Sequence, residues 1–221
     1  IYPLVRPQIR SEFERLEQVR NQISAQSQSE EPWFREAMRK LDFLMEKFLQ
    51  FAQKEAQFCT YLNSVYQEVY EQSSQHVRRE MRSRVYSPKD GEDRSPVLEV
   101  DEEWVSGVIE SVNSFYEREL EKLATEIESE SVMANRSLME KRQQILSRRK
   151  DFISRVGQIL SNLRLQMRLM SDTFGLINDE IRARSPEQVL SDIDDVMLQA
   201  TSLTEAIDEI TPMAELVGTT A

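Results

Sequence analysis

Apolar residues recur at three- and four-residue steps along most of the chain, and the breaks in that pattern mark out the expected elements. Ile9, Phe13, Leu16, Val19 and Ile23 form a first stripe starting near Pro7, because proline is accepted in a first helical turn. This predicts a helix over about residues 7–25, ended by the Ser/Gln-rich stretch from Ser24 to Ser29. Glu30, Glu31 and Pro32 then suit the positive end of a new helix. Its stripe includes Phe34, Met38, Leu41, Phe48, Phe58, Leu62, Val69, Met81 and Val85 with no proline or glycine between, which predicts one helix over 32–86, a rod of about 80 Å.

Residues 87–100 (SPKDGEDRSPVLEV) collect two prolines and a glycine and read as a loop at a hairpin tip. Asp101 reads as an N-cap with Glu102 and Glu103 in the first turn. From Trp104 to Ile181 the stripe resumes. Eighteen steps from Tyr116 to Ile181 cover 65 residues, close to the 3.6-residue period of a straight helix, so a single helix over about 101–183 is expected. Ser131, Lys141 and Arg149 fall on the stripe and predict a thinner or wetter middle. Ser185-Pro186-Glu187-Gln188 has the form of a reciprocal capping box with proline at the first helical position, opening a fourth helix over 186–210 that Thr211-Pro212 should stop.

Pairing the two long helices antiparallel about the loop places opposite each other residues whose numbers sum to about 187, so that Pro32 falls near Arg155 and the third helix overshoots the second. The first and fourth helices have the length to cover the overshoot. The expected fold is therefore all-α: one elongated antiparallel helical hairpin or coiled coil spanning 1–221, with a three- or four-helix bundled end. Phe48, Phe51, Phe58, Tyr61, Tyr66 and Tyr70 cover more than one face of the second helix. Two helices cannot bury them all, which points to self-association, a dimer being the simplest case.

Composition agrees with helices: 5 Gly and 7 Pro in 221 residues leave few breaks for a many-stranded fold. A net charge of −11 disfavours nucleic acid as a partner, since phosphate binding draws on Lys and Arg. An anionic membrane is disfavoured likewise, and is left only the basic belt below or a missing N-terminal segment to act through. No stretch is apolar for the ~18 residues a spanning helix needs. The chain begins with Ile1, which reads as a processed chain or a fragment of a longer one. The single cysteine, Cys59, lies among Phe58, Tyr61 and Leu62 and reads as a core residue in a reducing, cytoplasmic protein.

Catalytic chemistry finds little support. His76 is the only histidine, and no Glu-x-x-His pair is present for a metal bundle. Ser147-Arg148-Arg149-Lys150 matches Ser-x-x-Lys without its companion motifs, and Asn135-Arg136-Ser137 is a glycosylation sequon in a helical run. Asp192, Asp194 and Asp195, like Glu126, Glu128 and Glu130, read as solvated faces. No cofactor, metal or catalytic residue is expected, and the chain reads as a non-enzyme.

Two basic clusters carry more content. Arg78, Arg79, Arg82 and Arg84 should meet Asp101, Glu102, Glu103 and Glu110 across the hairpin as a charge zipper. Lys141, Arg142, Arg148, Arg149, Lys150 and Arg155 should face Arg35, Arg39 and Lys40, a belt without obvious internal counter-charge and the best surface for an acidic partner. The function expected is that of a helical interaction or scaffold protein that self-associates and binds other protein subunits. The alternative is a membrane- or nucleic-acid-associated rod, part of a larger chain, that uses the belt.

Overall fold

The computed structural model describes residues 5–26, 31–85, 101–181 and 185–218, with the side chains of residue 26 and of 211–218 outside the description. Among these residues the chain forms six helices and no strand: α1 (Pro7–Gln26), α2 (Pro32–Gln72), α3 (Gln75–Val85), α4 (Glu102–Ser129), α5 (Met133–Glu180) and α6 (Pro186–Gly218). The all-α expectation holds. None of these helices is long and apolar enough to cross a membrane. The expected tip loop, 87–100, lies outside the described residues.

Helix starts follow the local chemistry read from the sequence. The Asp101 carboxylate accepts a hydrogen bond from the Trp104 amide at 2.8 Å, capping α4. Ser185 and Gln188 exchange the two 3.4 Å bonds of a capping box ahead of α6. Pro32 opens α2, where the Glu31 carbonyl accepts from the amides of Phe34 and Arg35.

The two long helices are each broken, which corrects the boundaries 32–86 and 101–183. At Ser73 and Ser74 the chain leaves α2. The Ser73 hydroxyl donates to the Val69 carbonyl and its oxygen lies 3.7 Å from the Met81 sulfur. Eight residues along a straight helix would separate these two by about 12 Å, so α3 sets off in a new direction. Arg78 locks the bend by donating at 2.8 Å to the Tyr70 carbonyl in the last turn of α2, which also accepts from the Ser73 amide.

The second break is at Glu130–Val132. Glu130 is extended (φ −76°, ψ 123°), and its carboxylate accepts from the Val132 amide and the Asn135 side chain. The chain then reverses. Lys150 pairs with Glu117 at 2.6 Å, Asn113 with Ser154 at 3.2 Å, and Gly157 lies against Ile109, so α5 returns antiparallel along α4. The 3.6-residue count ran on through this reversal because the stripes of α4 and α5 happen to be in phase. Ser129 and Ser131 around Glu130, where helix-competing side chains cluster, carried the contrary signal. A third correction concerns the end of α6, whose backbone stays helical past Pro212 to Gly218. A proline inside a helix removes one donor and crowds the carbonyl four residues earlier, which bends a helix without always ending it.

The chain divides into two compact units, Ile1–Gln57 with Ile159–Ala221, and Phe58–Gln158, so that α2 and α5 contribute to both. In the first unit, α1 and the start of α2 are antiparallel, with Arg20 on Asp42 (2.9 Å) and the Phe13 and Phe48 rings 6.1 Å apart. The end of α5 and α6 form a second antiparallel pair, Gln166 donating to the Val196 carbonyl. The result is a four-helix bundle around Ile23, Leu41, Leu44, Phe48, Leu163, Met170, Phe174 and Ile193. Inside it Glu55, fully buried, accepts from Arg6 and from Arg164 (2.8 Å), joining α2, the segment before α1, and α5.

In the second unit, α3 and α4 are antiparallel, with Glu80 on Arg118 (3.1 Å) and Gly107 against the Arg84 carbonyl. The end of α2 packs on α5 through the Tyr61 and Phe152 rings, 5.5 Å apart and edge to face. Phe58, Tyr66 and Val69 are buried here and Phe48 and Phe51 in the first unit. Four of the six aromatic side chains expected to need a second chain are thus buried within this one, Phe48 and Phe51 in the bundle and Phe58 and Tyr66 in the second unit, while Tyr61 and Tyr70 are half-buried.

Candidate interaction surface

Reversal at Glu130 creates the most exposed feature of the second unit. Below it, at the level of Tyr116 and Phe152, α4 and α5 are held by α2 and α3. The centre of that junction is Arg149, which donates to both oxygens of Glu68 (3.2 and 2.8 Å) and lies over the Tyr116 ring, 5.6 Å from its centroid. Burial lowers the Arg149 pKa, and the hydrogen bond to Glu68 with the nearby Tyr116 and Glu68 charges more than offsets this, leaving it raised. Burial pushes the Tyr61 hydroxyl up to about 12, and raises Tyr116 as well.

From about Glu117 to Arg148 the two helices run on as an arm packed chiefly on each other. Leu123 is the inward side chain buried between them. Their outer surface carries Val132, Met133, Leu138 and Ile145, exposed by 51, 83, 65 and 58%. Leu138 and Ile145 belong to a stripe that the sequence predicts as buried; they share a face with Phe152, which α2 covers through Tyr61, and α2 ends at Gln72 without covering them. Four large apolar side chains on one short arm are more than the scattered single exposures of an ordinary surface.

Charge on the arm is segregated. From Glu117 to Glu130, α4 carries six Glu against Arg118 and Lys122, whereas from Met133 to Lys150, α5 carries six Lys and Arg against Glu140. Part of this is satisfied across the pair, through Lys150–Glu117 and Arg142–Glu119 (3.6 Å).

The belt residues end up in different settings. Arg35, Arg39 and Lys40 belong to the first unit and Lys141, Arg142, Arg148, Arg149, Lys150 and Arg155 to the second. Glu68 lines one small cavity with Glu119, the residue that the pairing rule sets opposite it, and also meets Arg149, because α5 has turned back along α4. The expectation that the belt lacks counter-charge is corrected: Lys40 binds Asp194 at 2.7 Å, Arg39 binds Glu36, and Arg142, Arg149 and Lys150 have the partners above. Arg35, Lys141, Arg148 and Arg155 are exposed and enter no ion pair among the described residues. Of the charge zipper, Arg84 lies 3.5 Å from Glu110, while Arg78 and Arg82 turn back to Tyr70.

His76 is exposed, and Cys59 is a buried thiol outside any disulfide. Among the described residues no three His, Cys, Asp or Glu side chains converge as metal ligands. Comparison with protein-family models, curated proteins and solved structures finds no match to this chain, so its function is read from its own residues.

Proposed function

We propose that this chain is a non-enzymatic helical interaction protein of a reducing, cytoplasmic setting, which associates with itself and with other protein subunits through the helical hairpin of α4 and α5. The observation that carries this reading is the exposure of Leu138 and Ile145 on α5, flanked at the reversal by Val132 and Met133. Apolar surface concentrated on a two-helix arm costs solvation in the isolated chain and is recovered when another helical surface covers it. The buried single thiol accords with a reducing compartment.

The test compares the full chain with its Leu138→Ser/Ile145→Ser variant. Both positions are more than half exposed, so circular dichroism should be unchanged while associated protein, whether other subunits or further copies of the chain, falls away in affinity capture. An unchanged set of associated proteins would remove this reading.

A further inference from the structure

The segregated charge of the arm identifies its occupant. We infer that the arm of α4 and α5 docks on the same arm of a second copy of the chain, the basic edge of each α5 lying along the acidic edge of the partner copy's α4. This rests on the reading of the arm as an interaction surface and adds how a second copy covers it.

The argument is one of matching rows. On α5, Leu138 and Ile145 are seven residues apart and therefore lie on one helix face, two turns from each other. Lys141 and Arg148 form a second row with the same spacing beside the first. On α4, Glu121 and Glu128 form an acidic row, again seven residues apart. All four charged side chains are exposed, and none is in an ion pair among the described residues, although their neighbours Glu117, Glu119, Arg142 and Lys150 are paired across the arm. A two-fold arrangement brings each basic row to an acidic row twice over, because both rows are present in every copy, and it closes the apolar row of Leu138 and Ile145 at the same time. An unrelated acidic partner would satisfy α5 but meet repulsion from α4; an unrelated basic partner would do the reverse. A second copy satisfies both edges.

The experiment is sedimentation velocity on the full chain at micromolar concentration, with circular dichroism as the check of folding. Wild type should be dimeric. Lys141→Glu/Arg148→Glu makes both edges acidic, and Glu121→Lys/Glu128→Lys makes both edges basic, so each variant alone should dimerise more weakly by about tenfold or more. Mixed in equal amounts, the two variants should recover association, since each now carries what the other lacks. Recovery is a result that misfolding cannot produce. A wild-type chain that stays monomeric overturns the inference, as do variants that dimerise like wild type or a mixture that fails to recover. Should wild type be monomeric while Leu138→Ser/Ile145→Ser still loses a different captured protein, the arm remains an interaction surface and only the second copy is excluded.

Discussion

Arg149 of α5 grips both carboxylate oxygens of Glu68 on α2 while its guanidinium lies over the Tyr116 ring of α4, so one side chain ties three helices at the base of the arm. Two parallel N–H···O bonds fix orientation as well as distance, and the ring contact adds attraction to a partly desolvated cation. Arg149→Ala should cost about 1 to 3 kcal/mol in urea unfolding. Arg148→Ala, one residue away but exposed and without an ion pair among the described residues, should stay within about 0.5 kcal/mol. Equal costs at the two positions would show that the grip on Glu68 contributes nothing.

Glu55 is the most consequential single charge of the first unit. It is fully buried with Arg6 and Arg164 as partners, so Glu55→Ala leaves two guanidinium groups facing a cavity. Breaking a buried pair from one side typically costs about 3 to 5 kcal/mol. Glu55→Met together with Arg164→Met removes charge from both sides and should recover much of that loss in thermal unfolding.

How far the sequence carried can be judged at three places. Caps at Asp101 and Ser185 were legible because capping is decided within four residues. The reversal at Glu130 is not, because an uninterrupted 3.6-residue count reports phase and is blind to direction: Ser131, Lys141 and Arg149 read only as interruptions of one stripe, and the exposure of Leu138 and Ile145 depends on where α2 ends along the returning α5. The belt was misjudged for the same reason. Counter-charges Glu117 and Glu119 for Lys150 and Arg142 lie on what was taken to be the same rod, and no straight helix brings them together.

Glycines give a paired prediction of opposite sign. A Cβ at Gly107 would sit 2.5 Å from the Arg84 carbonyl oxygen and 3.0 Å from its carbon, both backbone atoms that cannot step aside. Gly107→Ala should therefore push α3 off α4 and destabilise by about 1 to 3 kcal/mol. At Gly175, within α5, a Cβ meets nothing within 4 Å, so Gly175→Ala should raise stability by about 0.5 to 1 kcal/mol through helix propensity. Chemical denaturation of the two variants reads both signs.

Tyr61 predicts behaviour in alkali. Its hydroxyl is raised by burial from 10.0 to about 12, so the folded chain holds a proton that the unfolded chain gives up. Stability from this group is whole below pH 10 and falls as pH rises towards 12. Tyr61→Phe should flatten that part of the stability curve, and ultraviolet titration should show a late tyrosinate missing from the variant. An unchanged curve would place the alkaline loss elsewhere.

Glu130 predicts the opposite dependence at the reversal itself. Its carboxylate sits below its ordinary 4.5 because it accepts from the Val132 amide and the Asn135 side chain, with Arg136 adding a nearby positive charge. A depressed folded-state value means that the contribution is present above about pH 4.5 and disappears as pH falls through the lowered value. Protection from amide exchange at Val132 and Arg136, taken relative to the intrinsic rate at each pH, should accordingly fall on acidification and in Glu130→Ala at neutral pH. Glu130→Gln keeps a carbonyl acceptor but loses the charge, and should fall between wild type and Glu130→Ala. If all three proteins exchange alike at these two amides, packing of α5 on α4 holds the reversal and Glu130 is incidental to it.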